Sequence, residues 1–570
     1  MPPTVVFLKS RALAAIWMAE RPAVPARLML ASVHLVAFII MAWSEFGLAA
    51  MAAFALTWGL VNFGWLVVLR RPVLSGALSL ALFVVLILLS RFKHDILLMT
   101  VNFVDVMIVD ADTTAFLLTV FPNLTWAAGA AAIVVVPSLV LLWWADPLRV
   151  RRRTAALAGT ACVAGLAALA WAVPGDPQEE FNSENYVSKF ARSGVTALAD
   201  LSTRGLMESD ATAPDRLRGA AGQTCHPATK PPHIVMVFDE SSFDISVVAN
   251  VAVPPDYRRH FRSLDGKQRS FVVEGAGGPS WYTEYNVLTG LSARSYGRFA
   301  DFVTRVAAGR IERGLPHALR QCGYRTFSLY PSLGAFLGAR SFQTTAGIDR
   351  FLDASDMGAR TIEPDNFYFD VAARLIAQAR HDRPLFLLVY TAANHFPWTY
   401  RFRPELTPEW QPAGNGYQID EYLRRQAMSA QDYGQFVERL RREFPDERFL
   451  LVRFGDHQPA FAKHIVDRTL DEAAVGAAIA QFDRRFFSTY YAIDAINFQP
   501  PDLSSALDTL DAPYLPVVVL EAAGLPLEPS FAEQRRMLRR CHGAFYRCAD
   551  GAEARHFNRL LIDAGLIKGL

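Results

Sequence analysis

Charge of one sign is what this chain lacks. Lys and Arg number 57 against 55 Asp and Glu, a formal net charge of +2 over 570 residues, so nothing argues for a nucleic-acid partner. Cysteine is scarce, with five residues whose spacing does not suggest a zinc ribbon. No internal repeat and no low-complexity tract occurs. What the chain has in excess is apolar sequence. The hydrophobic content of 52% is high for a soluble enzyme, and the surplus is concentrated in the first 175 residues or so. A chain of 570 residues is also too long for one ordinary domain.

Five stretches approach the ~20 apolar residues that a helix needs to cross a bilayer. They are Leu28–Trp43, Gly47–Leu69, Val73–Leu89, Leu124–Trp144 and Ala155–Ala172. Charge is confined to the connections between them, which argues against buried helices of a soluble core. A secretory signal peptide is also a poor reading, because four more apolar runs come after the first.

The connections orient the chain. Lys9, Arg11, Arg21 and Arg27 precede the first span, Arg70 and Arg71 separate the second and third, and Arg149 with Arg151–Arg153 separates the fourth and fifth. The other connections carry Glu45, or a mixture that includes Asp105, Asp110 and Asp112. Lys and Arg mark the cytoplasmic side, so five crossings place everything after about Ala172 outside the cytoplasm. The connection from Arg91 to Pro122 is itself apolar, but its Asp residues at helical intervals make it a poor spanning helix. It is expected to lie in the interface or to re-enter the membrane on the outer face.

Four cysteines fall in the external portion, where disulfides persist. Cys541 and Cys548 suit a local pair; a pairing of Cys225 with Cys322 is offered without a spacing argument. The expected organisation is a transmembrane domain over 1–175, a juxtamembrane helical linker over 176–230, a catalytic domain over 231–535 and a tail over 536–570. From Pro231 onward, apolar runs alternate with helical ones: "HIVMVF", "YRTFSLY", "PLFLLVYT" and "RFLLVRF" are the runs. Continuous apolar strands separated by helices predict an α/β domain with a largely parallel sheet covered on both faces.

In open α/β sheets, ligands bind at the carboxyl ends of strands. Asp239 and Glu240 come directly after "HIVMVF", His395 comes after "PLFLLVYT", Asp456 and His457 come after "RFLLVRF", and Tyr330 ends "YRTFSLY". Each has a bland explanation as a cap or a solvated loop residue; their convergence on one edge favours a site. Asp456 and His457 are adjacent, so a turn after Gly455 is needed to aim both at one ion. Glu240 adds a third ligand, and oxygen with imidazole suits zinc or manganese better than calcium. The stretch "GGPSWYTEYNVLTG" supplies a hydroxyl: Gly277 and Gly278 permit the turn, Pro279 fixes the entry and Ser280 begins a helix. That serine reads either as a cap or as a nucleophile at an anion-stabilising helix terminus. Thr283 is the competing nucleophile.

These residues resemble those of the membrane-bound phosphoglycerol transferases of the alkaline phosphatase/sulfatase superfamily, the group of lipoteichoic acid synthase and the glucan phosphoglycerol transferases. The family's nucleophile motif is matched by Gly278, Ser280, Glu284-Tyr285 and Leu288-Thr289-Gly290; "GDHQP", "DES" and "NHFPW" match its other site motifs. The resemblance covers nearly the whole chain, five-span architecture included. It implies one divalent ion (Mn2+ or Zn2+, with Mg2+ a third option) on Glu240, Ser280, Asp456 and His457. It also implies Ser280 and His395 as catalytic residues and Tyr330, Arg340, His395 and Thr283 on the substrate side. Two departures touch the head-group contacts: many relatives have histidine where this chain has Tyr330, and the spacing from there to Arg340 is one residue longer. True sulfatases need Cys or Ser followed by x-Pro-x-Arg; the nearest approach, "CHPAT" at Cys225, lacks the arginine.

The expected function is therefore transfer of a phosphoglycerol or phosphoethanolamine head group from a membrane phospholipid, phosphatidylglycerol or phosphatidylethanolamine, to a hydroxyl of an envelope glycan or lipid. The setting implied is the bacterial inner membrane, with the catalytic domain in the periplasm. A membrane phosphodiesterase that passes the intermediate to water is the first alternative. A non-catalytic membrane scaffold is the second, and the intact set Glu240, Ser280, Asp456 and His457 speaks against it.

Overall fold

A computed structural model describes residues 23–97, 99–109, 111–173, 182–210, 217, 225, 230–381 and 383–569. Lys9, Arg11, Arg21 and Asp110, which help to orient the chain by sequence, lie outside these, as does residue 176 at the start of the expected linker. The chain divides into two compact units: one takes the residues up to Val109 with Leu117–Thr203, the other Asp110–Phe116 with Arg204–Leu570.

Among the described residues of the first unit, five helices are long and apolar enough to cross a membrane: Ala23–Ser44, Leu48–Leu69, Pro72–Leu97, Asn123–Ala145 and Arg152–Ala172. Their side chains are largely uncovered by protein, as in the helix Asn123–Ala145, which buries none of its residues. Apolar surface of that extent needs lipid rather than water around it. The connections that carry Arg70 and Arg149 join each other. Val150 N–H donates to the Arg70 carbonyl at 3.1 Å, and the Asp146 carboxylate accepts from Val73 N–H at 2.8 Å. Helices Pro72–Leu97 and Asn123–Ala145 leave that shared side and return to it, so the segment between them begins and ends on the opposite side. Its helices, Phe103–Ile108 and Ala111–Val120, are too short to span.

The linker contains a long helix, Tyr186–Arg204, that belongs to the first unit as far as Thr203. Glu45 in the first connection takes the N–H of Val187 at 3.0 Å and the hydroxyl of Ser188, and Asn185 N–H donates to the Ser44 carbonyl at 2.9 Å. An acidic side chain at a helix N-terminus satisfies amides that have no partner within the helix.

The second unit is built on an eight-stranded sheet of order β4-β3-β5-β1-β6-β7-β2-β8. The strands are β1 His233–Asp239, β2 Arg269–Val272, β3 Arg325–Leu329, β4 Arg350–Leu352, β5 Leu385–Tyr390, β6 Phe449–Gly455, β7 Ser488–Ile496 and β8 Thr509–Asp511. The four expected runs are the contiguous parallel strands β3, β5, β1 and β6. Only β7 runs antiparallel to its neighbours, β6 and β2. Ile234 to Phe238 of β1 are at most 2% exposed, which explains a strand apolar on both faces. Helices Asp365–Ala379 and Tyr417–Glu443 pack Phe369, Ile376, Phe436 and Leu440 against Val235, Leu387 and Leu451 on one face.

The cysteines pair as Cys225–Cys322 and Cys541–Cys548, and Cys162 is free. The C-terminal residues belong to the second unit rather than trailing from it. Asn558 in the helix Ala552–Asp563 donates from Nδ2 to the Glu208 carbonyl at 2.8 Å, and Asp210 N–H donates to the Arg555 carbonyl at 3.1 Å.

Candidate functional site

Register brings the acidic residues together. Asp239 and Gly455 are partners at the ends of parallel strands β1 and β6, so the residues next in the chain, Glu240 and Asp456, emerge side by side. Gly455 is required there: a Cβ on it would stand 1.8 Å from the Ser242 carbonyl oxygen. The chain turns immediately after it, and His457 joins the two carboxylates. One ligand atom from each of Glu240, Asp456 and His457 lies within 4.8 Å of the others, and all three residues are buried.

Hydrogen bonds fix which atoms face the centre. Asp456 Oδ1 accepts from Ser241 N–H at 2.7 Å and His457 N–H at 2.8 Å. Its Oδ2 is buried without a hydrogen-bond donor and lies 3.3 Å from His457 Nε2. His457 Nδ1 donates to the Gln458 carbonyl, an acceptor only, at 2.8 Å, so Nε2 is the nitrogen turned toward the carboxylates. Glu240 Oε1 is 3.8 Å from that Nε2. His457 Nε2, Asp456 Oδ2 and Glu240 Oε1 thus face one another, with the Ser241 hydroxyl donating to that Oε1 at 2.7 Å. Burial and the Asp456 carboxylate push Glu240 up to about 8, and burial raises Asp456 from its ordinary value against the influence of His457. The cluster is short of positive charge, and its oxygen and imidazole donors suit a divalent cation of the zinc or manganese kind.

Ser280 is the first residue of the helix Ser280–Thr289, preceded by Pro279 at the cap position, and its hydroxyl caps nothing. Gly277 has φ +73°, the left-handed region that favours glycine, and delivers the chain to that entry. The Ser280 hydroxyl lies 3.2 Å from His457 Nε2. Thr283 sits one turn on, fully buried, and its hydroxyl donates to the Asp456 carbonyl at 2.7 Å. Of the two hydroxyls, Ser280 meets the cluster and Thr283 supports its backbone.

His395 lies just past β5 in a half-buried loop. Its Nδ1 lies 2.8 Å from the Phe396 carbonyl, which leaves Nε2 as the acceptor, and burial lowers its pKa from the ordinary imidazole value. The loop is pinned at both ends. Asp365 accepts from the N–H groups of Ala392 and Ala393, each at 2.9 Å. The buried Arg425 guanidinium donates to the carbonyls of His395, Pro397 and Tyr400 at 2.7, 3.0 and 3.0 Å.

Tyr330 and Arg340, expected on the substrate side, are arranged differently. Tyr330 is buried between the rings of Phe351 and Tyr390, and burial together with the Glu284 and Glu240 carboxylates holds its phenol well above its ordinary pKa. Arg340 is engaged elsewhere: its guanidinium pairs with Asp353 at 2.7 Å and Asp356 at 2.8 Å and covers the Phe351 ring. Sequence reasoning missed the supporting residues Ser241, Asp365, Arg425 and Thr391, whose hydroxyl accepts from Glu240 N–H at 3.0 Å. Only Ser241 carried any signal, as the serine next to a strand-end acid.

A mostly parallel sheet, with a buried acid–imidazole cluster at its strand ends and a helix-terminal hydroxyl beside it, defines an alkaline phosphatase/sulfatase-like α/β domain. Residues 250–476 match the family model described as Sulfatase, so the chain carries a domain of that kind behind five apolar helices. No curated protein matches the sequence. Solved structures with likeness to it include the Streptococcus pyogenes phosphoglycerol transferase GacH in complex with sn-glycerol-1-phosphate (15% identity, 60% of this chain and 88% of that one, TM-score 0.47). The lipoteichoic acid synthase LtaP from Listeria monocytogenes is another (16%, 58% and 78%, 0.40). The lipooligosaccharide phosphoethanolamine transferase A (EptA) from Neisseria meningitidis is similar over more of this chain (13%, 84% and 96%, 0.40). At these identities and TM-scores none of them bears on this chain's substrate.

Proposed function

We propose that this chain is a metal-dependent membrane transferase that moves a phosphoglycerol or phosphoethanolamine head group from a phospholipid to a hydroxyl on a glycan or lipid acceptor. One observation carries the reading: the Ser280 hydroxyl, unused as a cap, lies 3.2 Å from His457 Nε2 at the edge of a buried cluster with Glu240 and Asp456. Glu240, Asp456, His457 and Ser280 are the residues that would hold a divalent ion. When bound, such an ion lowers the pKa of a hydroxyl and offsets the charge of a phosphodiester.

The protein's own groups then account for the steps. In the first, a bond forms from Ser280 Oγ to phosphorus as the bond from phosphorus to the diacylglycerol oxygen breaks; the proton lost by the serine balances the one the diacylglycerol gains. In the second, the acceptor hydroxyl displaces Ser280 Oγ and gives up its proton as the serine recovers one. His395, neutral and with Nε2 as acceptor, is suited to take that hydroxyl proton or to hold the group in place. Residues at the helix N-terminus favour the anionic phosphoryl group.

The five apolar helices favour a lipid donor. The arginine-rich connections and the two disulfides of the second unit favour a catalytic domain outside the cytoplasm, in the bacterial inner membrane. The decisive experiment incubates the purified full chain with phosphatidylglycerol or phosphatidylethanolamine labelled in the head group. Label bound to Ser280 and then passed to an acceptor is expected; label released only to water would assign a phosphodiesterase instead. Ser280→Ala should abolish the protein-bound label, whereas Thr283→Ala should retain it. The reverse pattern would move the nucleophile to Thr283.

A further inference from the structure

Ser241 adopts an unusual backbone conformation for its residue type. Its φ of +50° lies in the left-handed region, where a non-glycine residue is strained, and it is fully buried directly after Glu240. Strain at such a place persists only where surrounding contacts hold it. Each polar group of Ser241 has such a contact. The N–H donates to Asp456 Oδ1 at 2.7 Å and the hydroxyl donates to Glu240 Oε1 at 2.7 Å. The carbonyl accepts from Asn394 Nδ2 at 3.4 Å. One residue thus ties together the loops after β1, β6 and β5, which carry Glu240, Asp456 with His457, and His395.

The consequence is selective. With His457 N–H also on Asp456 Oδ1, that oxygen is saturated, and Oδ2 is left as the atom that faces His457 Nε2. On Glu240 the hydroxyl donates to Oε1 itself, the oxygen 3.8 Å from His457 Nε2, and so fixes the rotation of that carboxylate while leaving the facing atom a second lone pair. Neighbouring Ser242 is equally buried but points away from the cluster: its hydroxyl accepts from Gln426 Nε2 at 2.7 Å. The two serines therefore form a natural control pair on consecutive positions.

We propose that Ser241 is a positioning residue that sets the facing oxygens of both carboxylate ligands, and that its strained backbone is retained for that purpose. The inference rests on the metal reading of the proposed function. Outer-sphere partners of metal ligands typically contribute about 10- to 100-fold in affinity.

The test uses the detergent-solubilised full chain, stripped of ions. Mn2+ and Zn2+ affinities are measured by competition with a chromophoric chelator, and thermal unfolding is measured on the ion-free protein. Ser241→Gly keeps the N–H and adopts a positive φ without strain, so its ion-free Tm should be no lower than wild type while affinity falls about ten-fold or more. Ser241→Ala should lose affinity equally without any gain in Tm. Ser242→Ala should lower Tm and leave affinity unchanged. A purely structural Ser241 would give the opposite pattern: a Ser241→Gly protein with lower Tm and wild-type affinity overturns the inference. Wild-type protein that takes up neither ion would overturn the metal reading itself, an outcome seen before any variant is compared.

Discussion

The site has two sides that differ in how their polar groups are spent. On the side of β1 and β6, backbone N–H groups and short side-chain contacts hold Glu240, Asp456 and His457 with their lone pairs turned inward, and Asp456 Oδ2 is left without a donor. On the side of β3 and β4, charge is already neutralised: Arg340 is paired with Asp353 and Asp356, and Tyr330 is enclosed by aromatic rings. Two carboxylates and an imidazole that turn ligand atoms to within 4.8 Å of one another give the first side the character of a ligand-binding centre. The second, with its arginine already paired, has that of a supporting wall in the conformation described.

Breaking the first side should have the largest effect. Asp456→Asn keeps the shape of the side chain and removes its charge. It should lose bound divalent ion by elemental analysis and lower turnover by about 10³-fold or more. Full activity in ion-free Asp456→Asn protein would erase the distinction between the two sides. Next in size is His395. Its pKa is lowered by burial, so the neutral imidazole persists at pH 7 and protonates only as pH falls below the ordinary imidazole value. Turnover should decline along that acid limb. His395→Ala should lose about 10²-fold at pH 7.5 and lose the limb with it. A variant that retains the limb would assign it to another group.

The difference between the sides also explains how far each could be read from sequence. Strands β1, β3, β5 and β6 were legible because burial on both faces leaves continuous apolar runs, and the residues just past parallel strands land on one edge. Strands β4 and β8, with three residues each, and β2, with four, leave too short a pattern. β7, "STYYAIDAI", joins them by antiparallel pairing that no local signal specifies. Glu240, Asp456, His457 and Ser280 could be gathered from strand ends and a helix start. The pairing of Arg340 with Asp353 and Asp356 could not, since it joins one short helix to the N-terminus of another through side chains alone. For the same reason a lone Glu45 in a short connection gave no hint that it receives the N-terminus of the helix Tyr186–Arg204.

Arg340 sharpens the comparison with a smaller expected effect. If its guanidinium remains with Asp353 and Asp356 through turnover, Arg340→Ala lowers kcat/KM by less than about ten-fold, because a half-exposed pair contributes only about 0–1 kcal/mol. A rise in KM of about 100-fold at unchanged stability would instead show that the arginine leaves its acids to meet the phosphate, and the wall would become a substrate contact.

The smallest effect is on stability and concerns Glu284, which lies in the helix Ser280–Thr289. Burial raises its carboxyl to about 7 from an ordinary value of 4.5, opposed by hydrogen bonding from Gln343 and Tyr390. A raised folded pKa means that the folded protein holds a proton that the unfolded chain releases. The stability linked to this proton is fully present below pH 4.5 and is lost as pH rises through about 7. Glu284→Gln removes the titration. The variant should match wild type near pH 4.5 and exceed it at pH 8 by on the order of 2–3 kcal/mol, as read from denaturant unfolding of the full chain at each pH. A gap that stays constant from pH 5 to pH 8 would mean that Glu284 is ionised in the folded protein. The boundary between the sides would then fall within this helix, between Ser280 and Glu284, because a buried anion there would need donors that the wall must supply.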